Sequence, residues 1–222
     1  MHFIAEIGST HCNNKDYIKE FIETALEHGA DSIKFQLFPD TPEFTSTGNI
    51  AITRENFEYA MSLAPGKVSA SVFMEDELNY ILGLKPPYVK FAFSRRRASD
   101  WIQKTIESGS KVIVTSTIWE TYQVPVIKLT TAYSFNSAKL EDETVYPNPY
   151  MMDFYGLFPG YFQGYSDHSI GWANAYAAVQ AGASFIERHM KLDKADIKCP
   201  DAVFASSDFS KIQFVKNAKV LT

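Results

Sequence analysis

The stretch GYSDHSIGW at 164–172 sets Ser166, Asp167, His168 and Ser169 in a row, and SFIERHM at 184–190 carries Glu187 and His189. Paired histidines suit a divalent cation, because neutral imidazole ligates Zn²⁺, Mn²⁺ or Fe²⁺. Elsewhere Glu6 in IAEIG, Lys34 and Gln36 in SIKFQLF, and Lys90 in YVKF interrupt apolar runs. Ionisable groups placed so are costly to bury without partners, which makes them candidates for a shared site. Each residue also has a plainer reading. Asp167 and Ser169 can cap a helix, Glu6 and Lys34 can form a structural ion pair, and one strand histidine can simply be packed.

What would bring these residues together is a repeated unit. ALEHGADSIKFQ (25–36), TIESGSKVIVTST (105–117) and AVQAGASFIERH (178–189) each read as a helix end, a glycine, a small residue and a strand. Glycine suits the left-handed residue that follows many helices, and the runs after it are rich in β-formers. On this grammar strands are predicted at 2–8, 32–38, 67–73, 88–93, 111–117, 125–132, 161–167 and 184–190. Helices are predicted at 16–28, 53–64, 75–83, 98–108, 170–181 and 208–220. Eight strands alternating with helices predict an α/β fold, the (β/α)8 TIM barrel, in one domain over residues 1–222. The barrel is trimmed: only IWETYQV separates the fifth and sixth strands, where a helix is expected. The next connection, with Pro147 and Pro149, reads as irregular.

Strand side chains alternate between the helices and the barrel interior. If the apolar set faces the helices, Glu6, Lys34, Gln36, Lys90, Ser166, His168, Glu187 and His189 all point inward. Isolated buried charge is costly, so their convergence predicts a site at the strands' carboxyl ends, built around a metal shared by His168 and His189.

Composition excludes other classes. A net charge of -5 and a pI near 5.6 argue against a nucleic-acid or anionic-membrane surface, the one basic patch being Arg95-Arg96-Arg97. No apolar run reaches the roughly 20 residues of a membrane span, and no signal peptide is visible, which predicts a cytoplasmic protein. Cys12 and Cys199 form no CxxC pair, so a zinc ribbon or redox motif is not expected.

AEIGSTH, GADSIKFQLF, YVKFA, GYSDHSIG, GASFIERHMKLD and CPD, in this order, resemble the signatures of the sialic acid synthase family and its legionaminic, pseudaminic and spore-coat relatives. The resemblance runs from residue 3 to about 207. It implies metal-dependent condensation of phosphoenolpyruvate with an N-acyl hexosamine to a 2-keto-3-deoxy acid and phosphate. By that likeness His168 and His189 correspond to Mn²⁺ ligands, and Lys34, Lys90 and Ser166 to groups binding phosphoenolpyruvate. Glu6, Gln36, Tyr133 and Asp201 correspond to residues around the metal-bound water and the sugar, and Thr131 stands where the family has a substrate-side asparagine.

This chain also departs from the family. Where the family reads K-I-x-S-G-E, Lys90 is followed by Phe93 in place of a phosphate-binding serine and Arg95 in place of the acid/base carboxylate. Guanidinium cannot serve as a base at neutral pH. The glycine of GPD is Cys199, and the chain ends at Thr222, short of the antifreeze-like domain that full-length relatives carry. That domain's arginine would have to come from a separate chain, and a homodimer is expected to cover the flank left by the missing helix. Three readings follow: an active trimmed synthase in which Arg95 to Arg97 hold an extra phosphate, a non-catalytic descendant that still binds metal and ligand, and another metal-dependent barrel aldolase or lyase.

Overall fold

The computed structural model describes residues 1–116, 119–133, 160–194, 198 and 200–218, with backbone alone at 132 and 133. The connection expected to be irregular, the Tyr133 side chain and Cys199 therefore lie outside the described residues.

Eight parallel strands close in sequence order: β1 (His2–Glu6), β2 (Ser32–Leu37), β3 (Val68–Val72), β4 (Tyr88–Phe91), β5 (Lys111–Thr115), β6 (Ile127–Tyr133), β7 (Gly164–His168) and β8 (Phe185–His189), with β8 paired to β1. The helices are α1 (Lys15–Glu27), a short α2 (Pro42–Thr45), α3 (Arg54–Leu63), α4 (Glu75–Gly83), α5 (Ser99–Glu107), α6 (Ala173–Gln180) and α7 (Lys211–Lys216). The chain has the (β/α)8 fold that its sequence predicts. Gly29, Gly109 and Gly182, which follow α1, α5 and α6, take φ of +91°, +87° and +104°, so the glycine in each repeat is there for its backbone.

The apolar core lies between sheet and helices. Phe3, Ala5, Ile33, Phe35, Ala70, Val89, Val112, Val114 and Ile186 are buried outward from their strands against Phe21, Phe57, Leu78, Ile81 and Ile102 of the helices. The opposite phase fills the barrel in layers. Ile4, Tyr88, Ile113 and Leu129, with Ile127 and Phe185 packed on them, form a separate apolar plug at the amino ends of the strands. Gly164 belongs to this layer: a Cβ there would lie 2.3 Å from the Phe185 carbonyl oxygen. One layer further up, the same phase delivers the polar residues.

The flank between β5 and β6 has no helix among the described residues, as expected. It is not bare, however. Tyr122, Val124 and Val126 pack against the core cluster that includes Val112 and Val114, and both valines are buried. The expectation of a bare apolar flank is thus corrected, because an extended segment covers what a helix would have covered. Between this segment and α5 lies a cleft of about 400 Å³ lined by Arg96, Ile102, Gln103, Tyr122 and Val124.

Some element ends also differ. β4 stops at Phe91 because residues 93–95 turn into a 3-10 helix. α6 begins at Ala173 rather than 170, since Gly171 takes φ +77°.

Candidate active site at the barrel mouth

Strand register makes the site. Glu6 lies beside Lys34 and beside His189, Ser71 beside Lys90, Thr131 beside Ser166, and Ser166 beside Glu187. Because all these strands send the same phase inward, one ring of residues supplies two ammonium groups, two carboxylates, three hydroxyls and two imidazoles.

Glu187 is the hub. Its Oε1 accepts from Lys90 Nζ at 2.6 Å and from Ser166 Oγ at 2.6 Å, and its Oε2 lies 3.7 Å from Lys34 Nζ. Lys34 is ion-paired with Glu6 and donates to Ser71 Oγ at 2.7 Å. The structural pair foreseen for Glu6 and Lys34 therefore exists, inside the site itself. Burial would raise the Glu187 carboxyl, but Lys34 and Lys90 outweigh it and hold the group well below the usual carboxylate range. Burial pushes Lys34 down to about 7, against the pull of Glu187.

The histidine rings lie 5.0 Å apart, centroid to centroid. Thr131 Oγ1 lies 2.9 Å from the Ser166 carbonyl, to which it can donate, and 3.0 Å from His168 Nδ1, which is itself 3.3 Å from the same carbonyl. A proton on Nδ1 would serve both contacts, and an imidazole so held would ligate a metal through Nε2. Thr131, expected on the substrate side, here orients His168. Burial pushes His168 down to about 4, and burial together with His168 keeps His189 well below its ordinary value, so both are neutral at pH 7. His189 Nδ1 is buried without a hydrogen-bond partner, and Asp201 Oδ2 is 3.8 Å from it. Gln36 Nε2 donates to the same Asp201 oxygen at 3.3 Å. Burial raises the Asp201 carboxyl. Among the described residues no third His, Cys, Asp or Glu completes a ligand cluster with the pair. The donor set fits a divalent ion held by two imidazoles with positions left for water or substrate.

Two expectations need correction. Asp167 and Ser169 do not cap a helix: α6 has Trp172 at its N-cap with no side-chain cap bond. Asp167 instead pairs with the buried Arg188 at 2.5 Å and accepts from Ser169 N at 3.0 Å and Ser169 Oγ at 2.6 Å. Facing outward from β7, it finds a buried cation on β8 before it finds a helix end. The three arginines do not converge either. Arg96 and Arg97 both donate to Glu120, at 2.6 and 3.1 Å, and Arg96 lies 3.8 Å over the Phe93 ring. Arg95 donates from Nε to the Phe73 carbonyl at 2.9 Å, just past the end of β3.

Glu187 shares its face with His189 in the sequence, yet only the structure makes it the partner of both lysines. Phe204 carries no sequence signal. Its ring packs edge-on against His168 and His189 at 5.4 and 5.0 Å.

Fold and site together define a TIM-barrel protein with its polar cluster where barrels of this class keep their chemistry, at the strands' carboxyl ends. Comparison with known proteins narrows the class. The NeuB family matches residues 57–220, and the chain belongs to that family. It is 27% identical to N-acetylneuraminate-9-phosphate synthase of Mus musculus over 86% of this chain and 62% of the relative, so it spans less than two thirds of that protein. It is 25% identical to pseudaminic acid synthase of Helicobacter pylori over 93% of this chain and 70% of that one. The crystal structure of N-acetylneuraminic acid synthetase from Leptospira borgpetersenii superposes with a TM-score of 0.75 at 20% identity, covering 96% of this chain and 81% of that one. Among the described residues no helix is long and apolar enough to cross a membrane.

Proposed function

We propose that the protein condenses phosphoenolpyruvate with an N-acyl hexosamine or related aldehyde, giving a 2-keto-3-deoxy sugar acid and phosphate, with Mn²⁺ held by His168 and His189. The carrying observation is the convergence of Lys34, Lys90 and Ser166 on one buried carboxylate beside a neutral histidine pair. The same donors suit the carboxylate and phosphate of phosphoenolpyruvate, and membership of the NeuB family agrees with that use.

In this reaction the enol carbon of phosphoenolpyruvate bonds to the aldehyde carbon, water adds at the phosphate-bearing carbon, and phosphate leaves. Lys34 and Lys90 would neutralise the substrate's negative charge, and Ser166 would donate to one of its oxygens. Glu6 and Asp201 stand beside Lys34 and His189 to hold or pass a proton. A divalent ion between the imidazoles would polarise the aldehyde oxygen as a Lewis acid. Steady phosphate release from phosphoenolpyruvate with Mn²⁺ and N-acetylmannosamine, abolished by His168→Ala, is the expected result. No release with any of several aldehydes would end the reading.

One observation favours a second reading, a binding protein that no longer condenses. Arg95, where the family has its acid, turns to the Phe73 carbonyl, and Phe93 lies beneath Arg96. Phosphoenolpyruvate and Mn²⁺ bound without turnover would mark it.

A further inference from the structure

Arg188 stands on β8 between Glu187 and His189, faces away from the site and is 1% exposed. Its guanidinium reaches three acceptors on two separate pieces of chain. Nη1 donates to Asp167 Oδ2 on β7, while Nη2 donates to the Ser169 carbonyl at 3.1 Å and to the Phe204 carbonyl at 3.3 Å. The Trp172 ring lies 4.8 Å from the guanidinium carbon, and Trp172 Nε1 donates to Ser206 Oγ at 3.1 Å. The segment after β8 is therefore anchored from behind the barrel at two points. To the front it presents Asp201, 3.8 Å from His189 Nδ1, and Phe204, whose ring meets both imidazoles.

We propose that Arg188 is a positioning residue of the histidine pair: by holding the Phe204 carbonyl it seats the Phe204 ring against both imidazoles and fixes the geometry in which they can share a cation. The inference rests on the reading of His168 and His189 as a metal site. The two rings are secured differently. His168 is turned by its bond to Thr131, whereas His189 Nδ1 has no hydrogen bond to set the ring's angle. Packing must do that work, and the Phe204 ring stands at 89° to the His189 plane with centroids 5.0 Å apart. A lysine at 188 could keep the charge opposite Asp167, but one ammonium nitrogen lacks the fork that spans three acceptors on two segments.

The test compares wild type, Arg188→Lys and Phe204→Leu as full chains with labelled histidine. In the metal-free protein, the ring current of Phe204 should displace the His189 ring protons from their ordinary shifts. Phe204→Leu should abolish that shift and Arg188→Lys should reduce it, with His2 and His28 as unaffected internal controls. Mn²⁺ affinity, read by electron paramagnetic resonance, should fall about tenfold to a hundredfold in both variants, the usual effect of losing an outer-shell support. Wild-type His189 shifts in Arg188→Lys would overturn the proposal. So would unchanged Mn²⁺ affinity in Phe204→Leu, which leaves Arg188 in place should the lysine variant fail to fold. If wild type binds no Mn²⁺, the metal reading fails by itself, and the ring-current comparison still decides whether Arg188 positions the pair.

Discussion

Lys90 and Glu187, 97 residues apart in the chain, meet inside the barrel in an ion pair of 2.6 Å, with both side chains almost wholly buried. With Lys34 on its other oxygen, Glu187 neutralises the two cations that an anionic substrate would otherwise meet. Removing one member of a buried ion pair costs about 3 kcal/mol, because its partner is left charged and desolvated. Glu187→Gln should therefore lower Tm by roughly 6–12 °C for a domain of this size. Phosphoenolpyruvate should restore more of the loss in this variant than it adds to wild type, as thermal scans with and without the ligand will show. A variant as stable as wild type would mean that the lysines are not charged against Glu187.

Gly8 sits at the end of β1 with φ +53°, and a Cβ there would lie 2.5 Å from Asp201 Oδ2 and 3.3 Å from His189 Nδ1. Gly8→Ala combines backbone strain of about 1 kcal/mol with displacement of Asp201. The expected result is a small loss of stability by urea titration and a large loss of Mn²⁺ affinity. Gly164→Ala should show the reverse emphasis. Its Cβ would strike backbone of the neighbouring strand, so unfolding free energy should fall by more than about 2 kcal/mol.

Stability should fall on acidification. His11 is fully buried, and its Nδ1 accepts from Asn13 N–H at 2.8 Å, so a second proton would break that bond and bury a charge. Burial holds His11 at about 4, below its ordinary 6.5. Between those values the unfolded chain takes up a proton that the folded chain refuses, and stability declines by about 3 kcal/mol from this residue. His168 and His189 are lowered too and act in the same direction. Lys34, held at about 7, works at the other end of the range: stability should rise as pH climbs from there towards 10.5. Urea unfolding across this range checks both slopes, and His11→Gln should flatten the acid one.

Arg95 is half-buried, holds one carbonyl through Nε and makes no ion pair among the described residues. Arg95→Ala should change stability by no more than about 1 kcal/mol. Arg95→Glu returns a carboxylate to the place where the family keeps its acid. It should raise phosphate release at least tenfold, on the order of the lower part of what a general acid or base contributes. Equal rates in the two variants would separate position 95 from proton transfer.

The sequence alone determined the barrel and the inward set. Helix, glycine and strand recur through the chain, and alternation along a strand is local geometry that needs no partner to be read. For that reason the eight strands and the inward phase of Glu6, Lys34, Lys90, Ser166, His168 and His189 all appear as expected. The tertiary structure decided which inward residue meets which. Register between strands far apart in sequence joins Glu187 to Lys90 and Thr131 to His168. A local rule competes with a distant charge at Asp167, which resembles a helix cap in the sequence, yet Arg188 takes it as partner. A buried cation attracts a carboxylate more strongly than an exposed helix end does, and only the closed barrel brings Arg188 within reach of Asp167.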